Sequence, residues 1–157
     1  MISQNNEDIW YEIVVMIEQN DIEEVKKLLS ENSEFINECD ETTGNLLHAA
    51  AEENASYEMI KMLSEIGCDI NMYNESSEQN VLSYLMLNNP DDVYEKVKLL
   101  IELGAKMDTR SNIINPLFKA IDIKSFDIAK LLIENGIDLS VQYEEMDGMM
   151  HYHMQST

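Results

Sequence analysis

The residues able to do chemistry are few, and their spacing argues against a catalytic or metal centre. His151 and His153 are separated by one residue, which would place both imidazoles on one face of a strand, where they could bind a metal. No third ligand accompanies them, whereas zinc sites use three or four protein ligands. Cys39 and Cys68 lack C-x-x-C spacing, so both are expected as reduced thiols, with Cys68 at a small buried position after Gly67. Adjacent carboxylates such as Glu52-Glu53 and Glu144-Glu145 recur so often that none singles out an acid–base pair, and solvated faces account for them. Phosphate-binding glycine loops, the G-x-S-x-G elbow and the H-E-x-x-H zinc motif are all missing. The sequence predicts no enzyme, no cofactor and no metal.

The elements that would position any site are clearest from Asn115 to Leu139. Asn115 can cap a helix, and Pro116 suits the first helical position, whose N–H has no intrahelical partner. Leu117, Ala120 and Ile121 fall at i, i+3 and i+4. Ile128, Leu131 and Leu132 repeat that spacing beyond Lys124-Ser125, so two helices with one apolar face each are predicted. Gly136 supplies a left-handed residue to end the second helix. Neither face can be buried by the hairpin alone, so the hairpin needs neighbours. They are present upstream: Lys61 to Asn71, Lys98 to Asp108 and Lys130 to Ser140 share lysine, leucine, glycine and a following hydrophobic residue. Their glycines, Gly67, Gly104 and Gly136, stand 37 and 32 residues apart, bracketing a solenoid period of roughly 33 residues.

Helix starts recur with the same order. Asn115-Pro116-Leu117-Phe118, Asn45-Leu46-Leu47-His48 followed by Ala49-Ala50, and the weaker Asn80-Val81-Leu82-Ser83 are similar to the T-P-L-H start of ankyrin repeats, and the ordered series resembles that family. The resemblance implies an all-α solenoid: a single domain over 1–157, with about four helix-turn-helix units joined by short β-turn-like loops. The units would span about 7–37, 38–71, 72–108 and 109–141, with a tail over 142–157. It also implies that His48 ties neighbouring loops together through backbone hydrogen bonds. Thr43 or Gly44 is expected to make the turn before that histidine.

Two units depart from the pattern. In the first, Asp8 is expected to cap a helix containing Ile9, Ile13, Val14 and Ile17, Asn20-Asp21 to turn into a second helix containing Ile22, Val25, Leu28 and Leu29, and Trp10 to be buried. In the third, Asn88-Asn89-Pro90-Asp91-Asp92 lengthens the inter-helix turn, Pro90 stops the helix, and Asp91 or Asp92 can cap the next. That insertion is either a tolerated surface loop or a recognition element. In the tail, Met149, Met150 and Tyr152 are expected to cover the open edge of the fourth unit, the alternative being partial disorder.

Charge narrows the function. Ten Lys and Arg against 31 Asp and Glu give −21, which excludes ordinary electrostatic affinity for nucleic-acid phosphate or anionic lipid and points to a protein with a basic surface. The same acidity would also keep a methionine-rich chain soluble. Residues 1–41 and 42–79 carry −10 and −6, whereas 80–115 and 116–157 carry −1 and −4, so the field belongs to the first half. No apolar run is long enough to cross a bilayer, and Met1 to Asn6 has neither a basic nor an apolar stretch. A cytoplasmic chain, monomeric when free, is expected.

In ankyrin proteins the resemblance implies binding on the concave side, built from loop tips and the exposed face of each unit's first helix. It places Glu38, Asp40 and Glu41 on one tip, Tyr73, Glu75 and Glu78 on the next, and Asp108 and Arg110 on a third. The first helices would offer Glu18, Glu52, Glu53, Tyr84, Asn88, Lys119 and Asp122. Carboxylates steer and pair with Lys or Arg, while tyrosines supply contact area. The chain further resembles bacterial immunity proteins, small acidic ankyrin proteins that neutralise a toxin of the same cell, which implies a stoichiometric inhibitor. A scaffold, adaptor or effector would bind a host or cellular protein through the same surface without inhibiting it.

Overall fold

Short polar side chains at the turns set the helix boundaries. The computed structural model describes residues 4–40, 44–74, 76–88 and 92–141, with side chains from Asp8 onward except that of Asn88. Eight helices form among these residues: α1 Gln4–Glu18, α2 Ile22–Glu31, α3 Leu46–Glu52, α4 Tyr57–Glu65, α5 Val81–Asn88, α6 Val93–Glu102, α7 Pro116–Asp122 and α8 Phe126–Glu134. A 3-10 turn, Ser33–Ile36, follows α2. A two-residue hairpin precedes α5, with β1 (Tyr73–Asn74) antiparallel to β2 (Gln79–Asn80) and Tyr73 opposite Asn80.

The expected asparagine starts are caps. Asn45 Oδ1 accepts from the N–H groups of Leu47 and His48 at 3.1 and 3.2 Å. Asn80 Oδ1 accepts from Ser83 at 3.0 Å and Asn115 Oδ1 from Leu117 at 2.9 Å. Each satisfies a donor that an α-helix leaves unpaired at its start. Asp21 caps α2 through Glu24 N–H at 3.1 Å, and Gly136 takes a φ of +83° after α8.

Two expected caps differ. Helix α1 begins at Gln4, so Asp8 lies inside it. No glycine or proline interrupts residues 4–18, and an exposed acid near a helix start suits the dipole without ending the helix. Asp92 stands at the cap position of α6 but has a left-handed φ of +56° and makes no side-chain cap bond. Its carboxylate lies 3.9 Å from Lys96 Nζ. Lys96 is buried, and its ammonium also donates to Asn54 Oδ1 at 3.0 Å, from α6 to the α3–α4 turn. Asp91 and the expected tail cover, Met149, Met150 and Tyr152, lie outside the described residues.

Packing is in two rows. Helices α1, α3, α5 and α7 lie against one another in series, as do α2, α4, α6 and α8, and each odd helix also packs on the even helix that follows it. Ile13, Ile17, Val25, Leu47, Leu63, Leu82, Leu100, Ile128 and Leu132 fill the space between the rows, each side chain contributing about 1.5–3 kcal/mol by its removal from water. Ala49, Ala50 and Ala51 are fully buried, and their small volume lets α3 approach both α1 and α5. Trp10 is buried, its ring centroid 6.3 Å from that of Phe35. The last pair is less complete: Ala120 is buried, Leu117 half-buried, and Ile121 remains 54% exposed, although its spacing put it on the apolar face. The chain is thus an all-α stack, with one short hairpin among the described residues.

Neighbouring units are tied by asparagine side chains. Asn37 donates to Gly67 O at 3.1 Å and accepts from Asp69 N–H at 2.8 Å. Asn71 does the same one unit later, donating to Gly104 O at 3.1 Å and accepting from Lys106 N–H at 2.7 Å. Asn45 and Asn80, besides capping, donate to Asp69 O and Lys106 O at 2.9 and 2.8 Å. Asn71→Ala is expected to lower stability by about 1–2 kcal/mol, the net worth of two hydrogen bonds. Asn71→Asp, which keeps the acceptor and loses the donor, should lose about half of that. Urea unfolding of the three proteins measures it, and an Asp variant as weak as the Ala variant would show that the acceptor contributes nothing.

Candidate protein-binding surface

The ends of the odd-numbered helices bring carboxylates together. Glu18 closes α1, Glu52 closes α3, and Glu53 follows it; all three are exposed. Burial first, and then the charges of Glu18 and Glu52, raise the Glu53 carboxyl above its ordinary value. Tyr84 of α5 completes the group. Burial, the charge of Glu52 and a hydrogen bond to that carboxylate raise its hydroxyl above the usual tyrosine value. The ring stands edge-on to the buried His48 imidazole, with centroids 5.5 Å apart. Three carboxylates and a half-buried tyrosine therefore share one patch across the first three odd helices, a local field that a cation would relieve.

A second group spans the loops ahead of α5 and α7. Arg110 Nε lies 3.0 Å from both Asp108 carboxylate oxygens, and the guanidinium sits 4.6 Å from the Tyr73 ring centroid. Hydrogen bonding from Arg110 holds the Asp108 carboxyl below its ordinary value. Asp108 occupies the position held by Asn71 one unit earlier and by Asn37 two units earlier, and as a carboxylate it binds Arg110 instead of donating to the next unit.

The other expected residues are scattered around these groups. Glu38 and Asp40 are half-buried before α3, where Asp40 and Gly44 exchange two backbone hydrogen bonds of 2.9 Å. Glu78 is exposed in the hairpin turn, Lys119 is half-buried and Asp122 exposed on α7. Glu41, Glu75 and the Asn88 side chain lie outside the described residues, as do His151 and His153. Cys68 is buried, and burial pushes its thiol up to about 12, whereas Cys39 is exposed. Among the described residues no group of three or more His, Cys, Asp or Glu side chains could hold a metal, and no helix is long and apolar enough to cross a membrane. A broad open groove lies elsewhere, between α2 and α4. Its Lys26 and Lys61 pair with Glu23 and Glu65 at 3.0 and 3.8 Å, so it offers little uncompensated charge.

The family model of ankyrin repeats, in three copies, matches residues 47–143. The chain is an ankyrin-repeat protein. It is also similar to an ankyrin repeat protein of Acanthamoeba polyphaga mimivirus, 26% identical over 117 residues, which are 67% of this chain and 38% of the relative. It thus spans about two fifths of that relative's length. Ankyrin repeats are protein-binding modules.

The family pattern carried the choice of Glu18, Glu52, Glu53 and Tyr84, which the fold brings together. It did not point to Asn37 and Asn71, whose recurrence in Phe35-Ile36-Asn37 and Asp69-Ile70-Asn71 was the available signal. Lys96 was also missed, because a lysine on an i+4 pattern with Asp92 reads as a surface ion pair.

Proposed function

We propose that this ankyrin-repeat protein is a stoichiometric inhibitor that covers a Lys- or Arg-lined surface of a basic protein, such as a toxin domain, with the patch of Glu18, Glu52, Glu53 and Tyr84. The convergence of three carboxylates on one tyrosine is the observation that supports this reading. Long-range attraction would raise the association rate, and Tyr84 would give the contact its apolar area. Tyr73, held under Arg110, and the acids Glu38, Asp40 and Glu78 extend the same surface. A role as scaffold or adaptor uses the same patch and differs in its outcome for the partner.

The test begins with a protein that co-purifies with this chain from its source cells. Its affinity is then measured for the unmodified chain and for a variant with Glu18→Lys, Glu52→Lys and Glu53→Lys. A basic partner should lose about a hundredfold or more in affinity, the scale of strong interfacial charge pairs, and affinity should fall as salt is raised. Affinity unchanged by both would remove the patch from the interface. A partner fully active in a saturated one-to-one complex would leave the binding intact and replace inhibition with an adaptor role.

A further inference from the structure

Like charges that converge must be held together. Glu18 ends α1, Glu52 ends α3 and Glu53 follows it, and the turn after each helix contains a left-handed asparagine, Asn20 with a φ of +54° and Asn54 with a φ of +52°. Each asparagine is gripped by the unit that follows. Asn20 Oδ1 accepts from the Ser56 N–H, just before α4, at 2.6 Å. Asn54 Oδ1 accepts from Lys96 Nζ of α6 at 3.0 Å, across 42 residues of chain. Glu52 and Glu53 therefore lie within two residues of a side chain fixed by the next unit.

A buried lysine is a costly choice for such a tie. Lys96 is 1% exposed, and lysine is almost never fully buried unless paired. The Asp92 carboxylate, 3.9 Å from Nζ, is itself 62% exposed, so solvent screens that attraction. Packing alone would be served by an apolar side chain of similar length, because exchanging a buried charge for well-packed apolar volume is often neutral or stabilising. An apolar side chain could not hold Asn54.

We infer that Lys96 is a positioning residue for the acidic patch: through Asn54 it fixes the α3–α4 turn, so that Glu52 and Glu53 stay beside Glu18 and Tyr84. Asn20 and Ser56 fix the turn one unit earlier in the same way. The ammonium acts from inside the protein, while the three carboxylates stay exposed for a partner. That the partner is basic rests on the function proposed above. The gain is preorganisation, since carboxylates already held together need not be ordered when the partner arrives.

Lys96→Met in the full chain keeps the side chain's length and removes its donor and its charge. Loss of a cation by itself raises nearby carboxyls and strengthens attraction for a basic partner. A released turn does the opposite, because Glu53 moves into water and away from Glu18 and Glu52, the influences that raise it. Followed by NMR titration, the Glu53 carboxyl should therefore fall toward its ordinary value in Lys96→Met. Lys98→Met removes an exposed cation of the same helix, 4.0 Å from Glu102, and should leave Glu53 where it is or raise it. Asn54→Gly keeps a left-handed backbone and cuts the contact from the other side, so it should match Lys96→Met, and the double variant should fall no further than either. Glu53 unmoved or raised in Lys96→Met, or additive shifts in the double variant, would overturn the proposal. Binding of the co-purifying partner should weaken about threefold to tenfold in Lys96→Met, the ordering cost of a side chain or two, although the chain has become more acidic. Affinity unchanged by Lys96→Met but lost on Glu18→Lys, Glu52→Lys and Glu53→Lys would also overturn the proposal, and would leave the patch as the interface. Affinity indifferent to all four substitutions would remove the patch from the interface, and the Glu53 titration would then decide the positioning role by itself.

Discussion

Replacing Gly44 with alanine is expected to lower the unfolding free energy by about 3 kcal/mol. Two independent effects contribute. Gly44 has a φ of +89°, where an L side chain costs roughly 1–2 kcal/mol. A Cβ built there would also stand 2.8 Å from Cγ and Nδ1 of His48 and 3.0 Å from Nδ2 of Asn74. The His48 ring is fully buried and hydrogen-bonded, so it cannot give way without losing its partners, and overpacking of this kind adds roughly 1–3 kcal/mol. Gly67→Ala is the control. Gly67 has a φ of +106° with nothing within 4 Å of the added carbon, so only the backbone effect of roughly 1 kcal/mol should remain. Urea unfolding of both variants separates the two contributions, and equal losses would show that the His48 contact relaxes freely.

His48 itself should make stability depend on acid. Burial lowers its pKa to about 4, partly opposed by the hydrogen bond with the Gln79 backbone carbonyl. Nδ1 accepts from Asn45 N–H at 3.4 Å and lies 2.9 Å from Asn45 Oδ1, while Nε2 is 3.4 Å from Gln79 O, so the neutral ring with its proton on Nε2 satisfies the Asn45 donor and the Gln79 acceptor. The unfolded chain protonates this histidine near pH 6.5. Between about pH 6.5 and pH 4 the unfolded state therefore binds a proton that the folded state refuses. The contribution is fully present above pH 6.5, falls across that window by about 3 kcal/mol, and changes no further below it. Carboxylates titrate over part of the same range, so the measurement is the difference between the unmodified chain and His48→Gln. That difference should be larger at pH 7 than at pH 4 by about 3 kcal/mol. A constant difference would mean that the folded state accepts the proton, with the imidazolium donating to Asn45 Oδ1 and Gln79 O in place of accepting from Asn45 N–H.

Much of the fold was legible because its signals are local. Asn45, Asn80 and Asn115 cap the helices they precede, and Gly136 ends α8 because the chemistry acts within a few residues of each. Failures arose where a local signal had a competing use. Asp8 can cap a helix, but nothing in residues 4–7 stops one, and Asp92 turns toward Lys96 after adopting a left-handed backbone. Ile121 carries the helix period correctly, yet period says nothing about whether a neighbour is present to cover it. The candidate surface was legible only through the unit alignment, which put Glu18, Glu52 and Tyr84 on successive odd helices. The mutual influence of Glu53 and its neighbours, and the reach of Arg110 across to Tyr73, depend on how closely those units approach.

Asp108 gives the stack a direction in which to come apart. Each interface in a solenoid contributes separately, so the weakest opens first. Asn37 and Asn71 each hold a carbonyl and an N–H of the following unit, whereas an ionised Asp108 has no donor to give to Gly136 O. The junction between α5–α6 and α7–α8 keeps the hydrogen bond from Ser83 Oγ to Ile114 O at 2.9 Å but lacks the asparagine pair, so separation is expected to start there and to leave the acidic patch on α1, α3 and α5 in place.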